Sequence, residues 1–222
     1  PKWSLPLIER MPEVSANLKS PYAHGDIKLF SRYKLGKDLR SSQYSRAILL
    51  TNSLKSSLVP FFARIPIRTG WLGEMRYGLV NDIRQLELND KLLMVEKFAA
   101  LSIQRTNYSL SNLNLPSLTI DSDNQNDKLD KFQINVNLPS LAICPGAEFG
   151  PSKRWPAKYY SKVAKNYISK GWNVICFGSP NDKEIGKRID SSNSLDQDNK
   201  FHNLIGKTSL TDAIDLLAHC QR

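Results

Sequence analysis

Residues 140–177 spell out a strand, a loop, a helix and a second strand in immediate succession. Residues 140–144 are a short, mostly apolar run. From Pro156 onward apolar side chains recur at helical spacing, at Tyr159, Tyr160, Val163, Ala164, Tyr167 and Ile168. Pro156 suits a first helical turn and Gly171 the position just past the last one, so residues 172–177 read as a second buried strand. A helix placed between two strands in this way makes them parallel and commits the chain to an α/β fold.

The loop inside this βαβ unit is Cys144-Pro145-Gly146-Ala147-Glu148-Phe149-Gly150-Pro151-Ser152-Lys153-Arg154-Trp155-Pro156. It lies at a strand's carboxyl end, where open parallel sheets take their ligands. Glycines let the backbone approach a ligand closely, a helix start offers unpaired N–H groups, and Lys153 and Arg154 add full charge. These properties suit an anion such as a phosphate. An ordinary βα loop with a solvated Lys-Arg pair carries the same residue types, so the loop's composition alone leaves both readings open.

Other segments repeat the alternation. Residues 35–42 suggest a short helix, 46–50 a buried strand, 54–63 a helix containing Pro60, and 92–103 a helix with apolar spacing. Residues 106–138 are rich in Asn, Asp and Ser and read as a mobile loop or linker. Beyond the βαβ unit, residues 185–189 belong to a helix and 201–205 to a third strand. Thr208 or Ser209 then caps a helix with Asp212 in its first turn and Leu210, Ala213, Ile214, Leu217 and Ala218 on its buried face. Together these imply two doubly wound, Rossmann-like domains facing across a cleft: residues 1–110, a polar linker 111–139, and residues 140–222.

The net charge of +10 is concentrated toward the amino terminus, where residues 1–110 hold seventeen Lys and Arg against nine Asp and Glu. A basic face attracts nucleic acid, anionic lipid or a phosphorylated substrate, or simply keeps a protein soluble. No zinc-finger, RNP or basic-helix motif supports nucleic acid. No apolar run reaches the roughly 18 residues that span a bilayer, and no signal peptide opens the chain, so a cytoplasmic location is expected. Cys144, Cys176 and Cys220 show neither metal-ligand spacing nor a disulfide framework, and the first two fall in expected buried strands. No metal site is expected from these or from the scattered histidines.

A second long motif, Arg68-Thr69-Gly70-Trp71-Leu72-Gly73-Glu74-Met75-Arg76-Tyr77-Gly78 followed by Asn81-Asp82, precedes the loop. The two motifs in this order resemble the bacterial ADP-heptose:lipopolysaccharide heptosyltransferases, glycosyltransferase family 9. The resemblance runs from Met11-Pro12-Glu13-Val14 through Asn52-Ser53-Leu54-Lys55-Ser56 to Phe177-Gly178-Ser179 and is weakest at residues 106–138. It implies a GT-B fold and an inverting, metal-independent transfer of L-glycero-D-manno-heptose from ADP-heptose to the first heptose of the lipopolysaccharide inner core. No cofactor is implied. The implied partners are the donor, ADP-L-glycero-D-manno-heptose, and a phosphorylated lipid A-core acceptor at the inner membrane, to which a monomeric enzyme would be peripheral. Family members begin with a strand and a glycine-rich turn bearing the expected catalytic Asp, and carry a Thr-Asn-Asp-Ser-Gly-type loop beyond the last helix seen here. The chain runs only from Pro1 to Arg222, so the resemblance implies an internal fragment lacking both ends and inactive alone. A heptosyltransferase acting at another core position is an alternative, and an anionic-ligand or nucleic-acid binding module is a second.

That mechanism needs a general base for the acceptor hydroxyl and positive charge for the departing ADP. The resemblance assigns the second task to Lys153. Gly146, Ala147 and Ser152 would bring donors to the donor substrate, while Glu148 either accepts from heptose hydroxyls or neutralises Arg154. Arg154 itself binds the donor, pairs with an acid or faces solvent. Ser179 or Asp182 would touch the nucleoside, unless Asp182 caps the next helix, and Gly206 and Thr208 would neighbour the adenine. On the acceptor side, Asn52, Ser53, Lys55 and Ser56 follow the 46–50 strand, with Lys55 suited to a phosphate. Arg68 and Arg76 flank the Gly70–Gly73 turn, and Arg76 either binds the acceptor or pairs with Glu74 or Asp82. Trp71 reads as a core or hinge anchor.

Overall fold

The computed structural model describes residues 2–22, 25–85, 93–103, 113, 116–147, 151–191 and 199–220. In chain order the helices are α1 (Leu5–Glu9), α2 (Leu29–Asp38), α3 (Leu54–Phe62), α4 (Met94–Ala100), α5 (Ser122–Lys131), α6 (Ala157–Ser169), α7 (Lys183–Ser191) and α8 (Leu210–His219). The strands are β1 (Arg46–Leu49), β2 (Ile67–Trp71), β3 (Asp82–Arg84), β4 (Ser140–Ile143), β5 (Asn173–Cys176) and β6 (Phe201–Asn203). The chain divides into two compact units, one comprising Ser20–Leu115 and the other Lys2–Lys19 with Pro116–Arg222.

The second unit is built on a parallel sheet in the order β4-β5-β6, with Leu141 beside Val174 and Val174 beside Phe201. All four residues of β5 are buried, which requires cover on both faces of the sheet. Strand periodicity supplies it. Val174 and Cys176 point into a cluster with Ile143, Ala164, Ile168, Ile189 and Phe201, under α6 and α7. Ile175 and Phe177 point the other way, into Leu129, Ile134, Leu204 and Leu216, under α5 and α8. Every strand of this sheet therefore delivers its carboxyl end to the same edge, where the loops to α6, α7 and α8 begin.

Two expectations about this unit are corrected. The 111–139 segment is not all linker, because α5 occupies Ser122–Lys131 and packs on α8. Asp121 caps it by accepting the Asn124 N–H at 3.1 Å, and Leu129 is buried. Its polar residues concealed it because they bond across to another helix. The Asp215 carboxylate on α8 is fully buried and accepts from Asn124 Nδ2 at 2.8 Å, the Asp121 N–H at 3.0 Å and Arg10 Nη2 at 2.9 Å. The same arginine explains the second correction. Residues 2–19 belong with this unit, not with the rest of 1–110, because Arg10 reaches Asp215 and its carbonyl accepts from the Thr119 N–H at 2.7 Å.

The first unit holds a parallel sheet in the order β1-β2-β3. In register, Ile48 sits beside Thr69 and Thr69 beside Asp82. The expected 35–42 helix starts earlier, with α2 at Leu29–Asp38 followed by a 3-10 turn at Leu39–Ser42. Its buried residues are Arg32 and Gly36, so its packed face carries no apolar stripe for the sequence to show. Gly36 lets α2 meet α3, since a Cβ there would lie 2.6 Å from Phe62 Cβ and 2.8 Å from the Val59 carbonyl oxygen. Trp71 is the core anchor expected, packed with Ala100 and Leu101.

Candidate active site

In the second unit, α6 begins at Ala157 with Pro156 as its cap residue, with no side-chain cap and no acid in its first turn. The positive end of the helix is thus uncompensated from within. Just upstream, Pro151–Lys153 forms a 3-10 turn. Lys153 is exposed and forms no ion pair among the described residues. Its neighbour differs. Arg154 Nη2 donates to the Ala147 carbonyl at 3.0 Å and lies 3.8 Å from Asp182 Oδ1. Arg154 thus lies near an acid while its side chain stays 39% exposed. Gly146 and Ala147 are half-buried in the same loop and Ser152 is exposed, while Glu148 lies outside the described residues.

The loop after β5 contains the 3-10 turn Pro180–Asp182. Asp182 Oδ2 accepts from Ser179 N–H at 3.0 Å and from Ser179 Oγ at 2.6 Å. Both residues are therefore occupied with each other in a capping box in which Ser179 is the cap residue, so Asp182 does not itself cap α7. After β6, Gly206 takes a positive φ of 69° and donates its N–H to the Gly178 carbonyl at 2.9 Å. This bond ties the third loop to the second. Ser209, and not Thr208, caps α8: its Oγ accepts from the Asp212 N–H at 3.1 Å, while Asp212 Oδ2 accepts from the Ser209 N–H at 2.9 Å. Thr208 stays half-buried without that duty. Cys144, expected in a buried strand, lies one residue past β4 and is exposed, whereas Cys176 is buried with its thiol pushed up to about 12, chiefly by burial.

Sequence reading did not find a groove of about 330 Å³ beside Arg154, lined also by Trp155, Asn181, Glu184, Ile185 and Arg188. Its residues come from the starts of α6 and α7, and only the helical register brings them together. Among the described residues, no three His, Cys, Asp or Glu side chains are grouped to hold a metal ion.

In the first unit the strand-end loops are built differently. Asn52 packs against Gly73, where a Cβ would lie 3.3 Å from the Asn52 carbonyl oxygen, so the loops after β1 and β2 touch. Ser53 precedes α3 without capping it. Glu74 does so from the neighbouring loop, accepting the Leu54 N–H at 2.7 Å. The sequence offered no signal for this, because donor and acceptor are twenty residues apart. The Ser56 hydroxyl donates to the Ser53 carbonyl at 2.6 Å, and Lys55 is half-buried with no ion pair among the described residues.

The two arginines expected to face an acceptor are turned inward. Arg76 is 2% exposed, and its guanidinium donates to the carbonyls of Thr51 at 2.8 Å and Trp71 at 2.6 Å. Burial pushes its pKa below the usual arginine value, partly offset by the Glu74 carboxylate. Asp82 is held instead by Arg84, at 3.0 Å to each carboxylate oxygen, and by Thr69 Oγ1 at 2.8 Å. Arg68 donates to the carbonyls of Leu79 at 2.7 Å and Gly78 at 3.3 Å. Both arginines thus tie main-chain carbonyls of neighbouring segments together.

Comparison with known proteins fits this arrangement of loops on parallel sheets. The family described as Glycosyltransferase family 9 (heptosyltransferase) matches residues 32–222. The chain belongs to glycosyltransferase family 9. It is 44% identical to "Lipopolysaccharide heptosyltransferase 2" of Escherichia coli (strain K12), over 100% of this chain and 65% of that protein. It is 42% identical to the protein of the same name from Salmonella typhimurium, again over 100% of this chain and 65% of the relative. The solved "Structure of E. coli ADP-heptose lps heptosyltransferase II" superposes with a TM-score of 0.86 at 40% identity, covering 99% of this chain and 66% of that one. The chain thus spans just under two thirds of the length of these relatives. Its fold is that of the family, mixed α/β with parallel sheets of the GT-B type. Family membership extends over both groups of strand-end loops, from α2 through α8.

Proposed function

We propose that this protein transfers a heptose from ADP-heptose to the lipopolysaccharide core, as the names of its relatives say of them. The observation that carries the reading is the contrast within the exposed Lys153-Arg154 pair: Arg154 donates to its own loop, while Lys153, just before the uncapped start of α6, has no ion pair among the described residues. A diphosphate at that position would meet a full cation and a helix dipole together. Both interactions strengthen as charge develops on departing ADP, which lowers the barrier instead of merely tightening binding. This chemistry asks for no metal and no cofactor. The backbone of Gly146 and Ala147, with the Ser152 hydroxyl, would complete the phosphate cradle. Gly206 and Thr208, at the end of β6, would bound the nucleoside.

On the acceptor side the reading relies on Asn52, Ser53 and Lys55, because Arg68 and Arg76 are engaged by main-chain carbonyls. Lys55 supplies the cation for a core phosphate. The acceptor is a lipid, so the enzyme would work at the inner face of the cytoplasmic membrane as a peripheral monomer. No described helix is long and apolar enough to cross a bilayer. The first heptose of the core is the acceptor this reading favours.

Calorimetric titration with ADP and ADP-heptose tests the proposal. Saturable binding is expected, weakened about 10- to 100-fold in Lys153→Ala, the range for losing one charge-assisted phosphate contact. Unchanged affinity in that variant would remove the basis of the assignment.

A further inference from the structure

Asp182 has no part in the chemistry proposed above, yet its buried carboxylate stands where two strand-end loops meet. It is 8% exposed. One oxygen accepts from both Ser179 groups, and the other lies 3.8 Å from Arg154 Nη2, the same nitrogen that donates to the Ala147 carbonyl. Both glycines of these loops abut it. A Cβ at Gly146 would lie 2.5 Å from Asp182 Cγ and Oδ2, and one at Gly178 would lie 3.2 Å from Asp182 Cβ. The carboxylate therefore fills the space that the absent Gly146 side chain leaves. Neither Gly146 nor Gly178 has a positive φ, so close approach and not backbone conformation is what demands glycine at 146.

We propose that Asp182 is a positioning residue for the donor loop. It sets the path of Gly146 and Ala147 by contact with the first and, through Arg154, by a bond to the second. A consequence is a division of labour in the Lys153-Arg154 pair: Arg154 is spent on holding the loop, which leaves Lys153 for the ligand. The inference rests on the reading of this loop as the donor-phosphate site.

The test measures ADP affinity and melting temperature for wild type, Asp182→Ala, Asp182→Asn, Gly146→Ala and the double variant Gly146→Ala with Asp182→Ala. Each of Asp182→Ala and Gly146→Ala is expected to weaken ADP about tenfold or more, by loosening the loop or by steric conflict. Asp182→Asn keeps the shape and loses the charge facing Arg154, so it should fall between wild type and Asp182→Ala. The double variant should bind no worse than its weaker parent, because the clash and its partner are removed together. Should Asp182→Ala lower the melting temperature while ADP affinity stays within twofold, Asp182 only braces the Ser179 turn ahead of α7 and the inference is overturned. Multiplying losses in the double variant would overturn it too. Failure of folded wild type to bind ADP overturns the donor-site reading itself, and the inference with it.

Discussion

The strand-end loops of the two units use arginine and lysine in opposite ways. In the first unit, Arg68 and Arg76 read in the sequence as a phosphate clamp around a Gly70–Gly73 turn, but Arg68 and Gly70 lie within β2 and both guanidiniums donate to backbone carbonyls. In the second unit, two adjacent exposed cations split, one bonded to the loop and one without an ion pair among the described residues. The lesson is that the fork of an arginine serves carbonyl-rich turns as readily as it serves an anion, and a turn supplies its carbonyls at no cost in association entropy. A lysine, carrying a point charge on a flexible stem, is the cation left available in each unit.

The largest effect that would break this comparison concerns Arg76. Arg76→Ala should destabilise the protein by about 3 kcal/mol, because it removes the guanidinium from the carbonyl of buried Trp71 and leaves a cavity. Urea denaturation would show the loss as a lower midpoint, and a normal midpoint would mean that the guanidinium is not structural. Lys153→Ala should do the reverse. Its melting temperature should stay within about 1 °C of wild type, as for an exposed side chain away from caps and core, while ADP binding weakens as given above. Arg68→Ala is the next smaller effect, about 1 kcal/mol, since this side chain is only half-buried and neighbouring water can replace some of its bonds. Equal losses in Arg68→Ala and Arg76→Ala would blunt the distinction that burial draws between them.

The smallest effect is one of pH. Half-buried His202 has its pKa lowered from 6.5 mainly by burial, against a backbone hydrogen bond with Phe132 that raises it. The folded state therefore holds the imidazole neutral where the unfolded chain would protonate it. This stability is present above 6.5 and is lost as pH falls through the folded value. His202→Gln should flatten the acid side of a stability-against-pH curve in the second unit without altering the loops of either. A curve of unchanged shape would show that other groups set the acid limit.

Much of the framework was legible in the sequence. The run 140–177 gave β4, α6 and β5 to within a residue or two, because apolar periodicity and the proline and glycine at the helix ends are local signals. Helix α5 was not legible: its polar side chains reach Asp215, some ninety residues further along, and only Leu129 enters the core. The motif of the donor loop was legible as a motif, and through it the family. The roles within it were not. Asp182 lies thirty-six residues from Gly146, and no spacing rule relates a carboxylate to the glycine whose missing Cβ it replaces.

By itself, the sequence determined the strand-helix alternation of the second unit, the parallel pairing that follows from it, and the family, since each rests on patterns a few residues long or on long motifs, whereas β2 and β3 of the first unit went unread. Tertiary structure alone decided which cations face inward and which stay exposed, and that residues 2–19 fold with the second unit. The physical reason is that a charged side chain is fixed by whichever donor or acceptor the folded backbone brings within about 3 Å, and those partners are set by packing between distant segments.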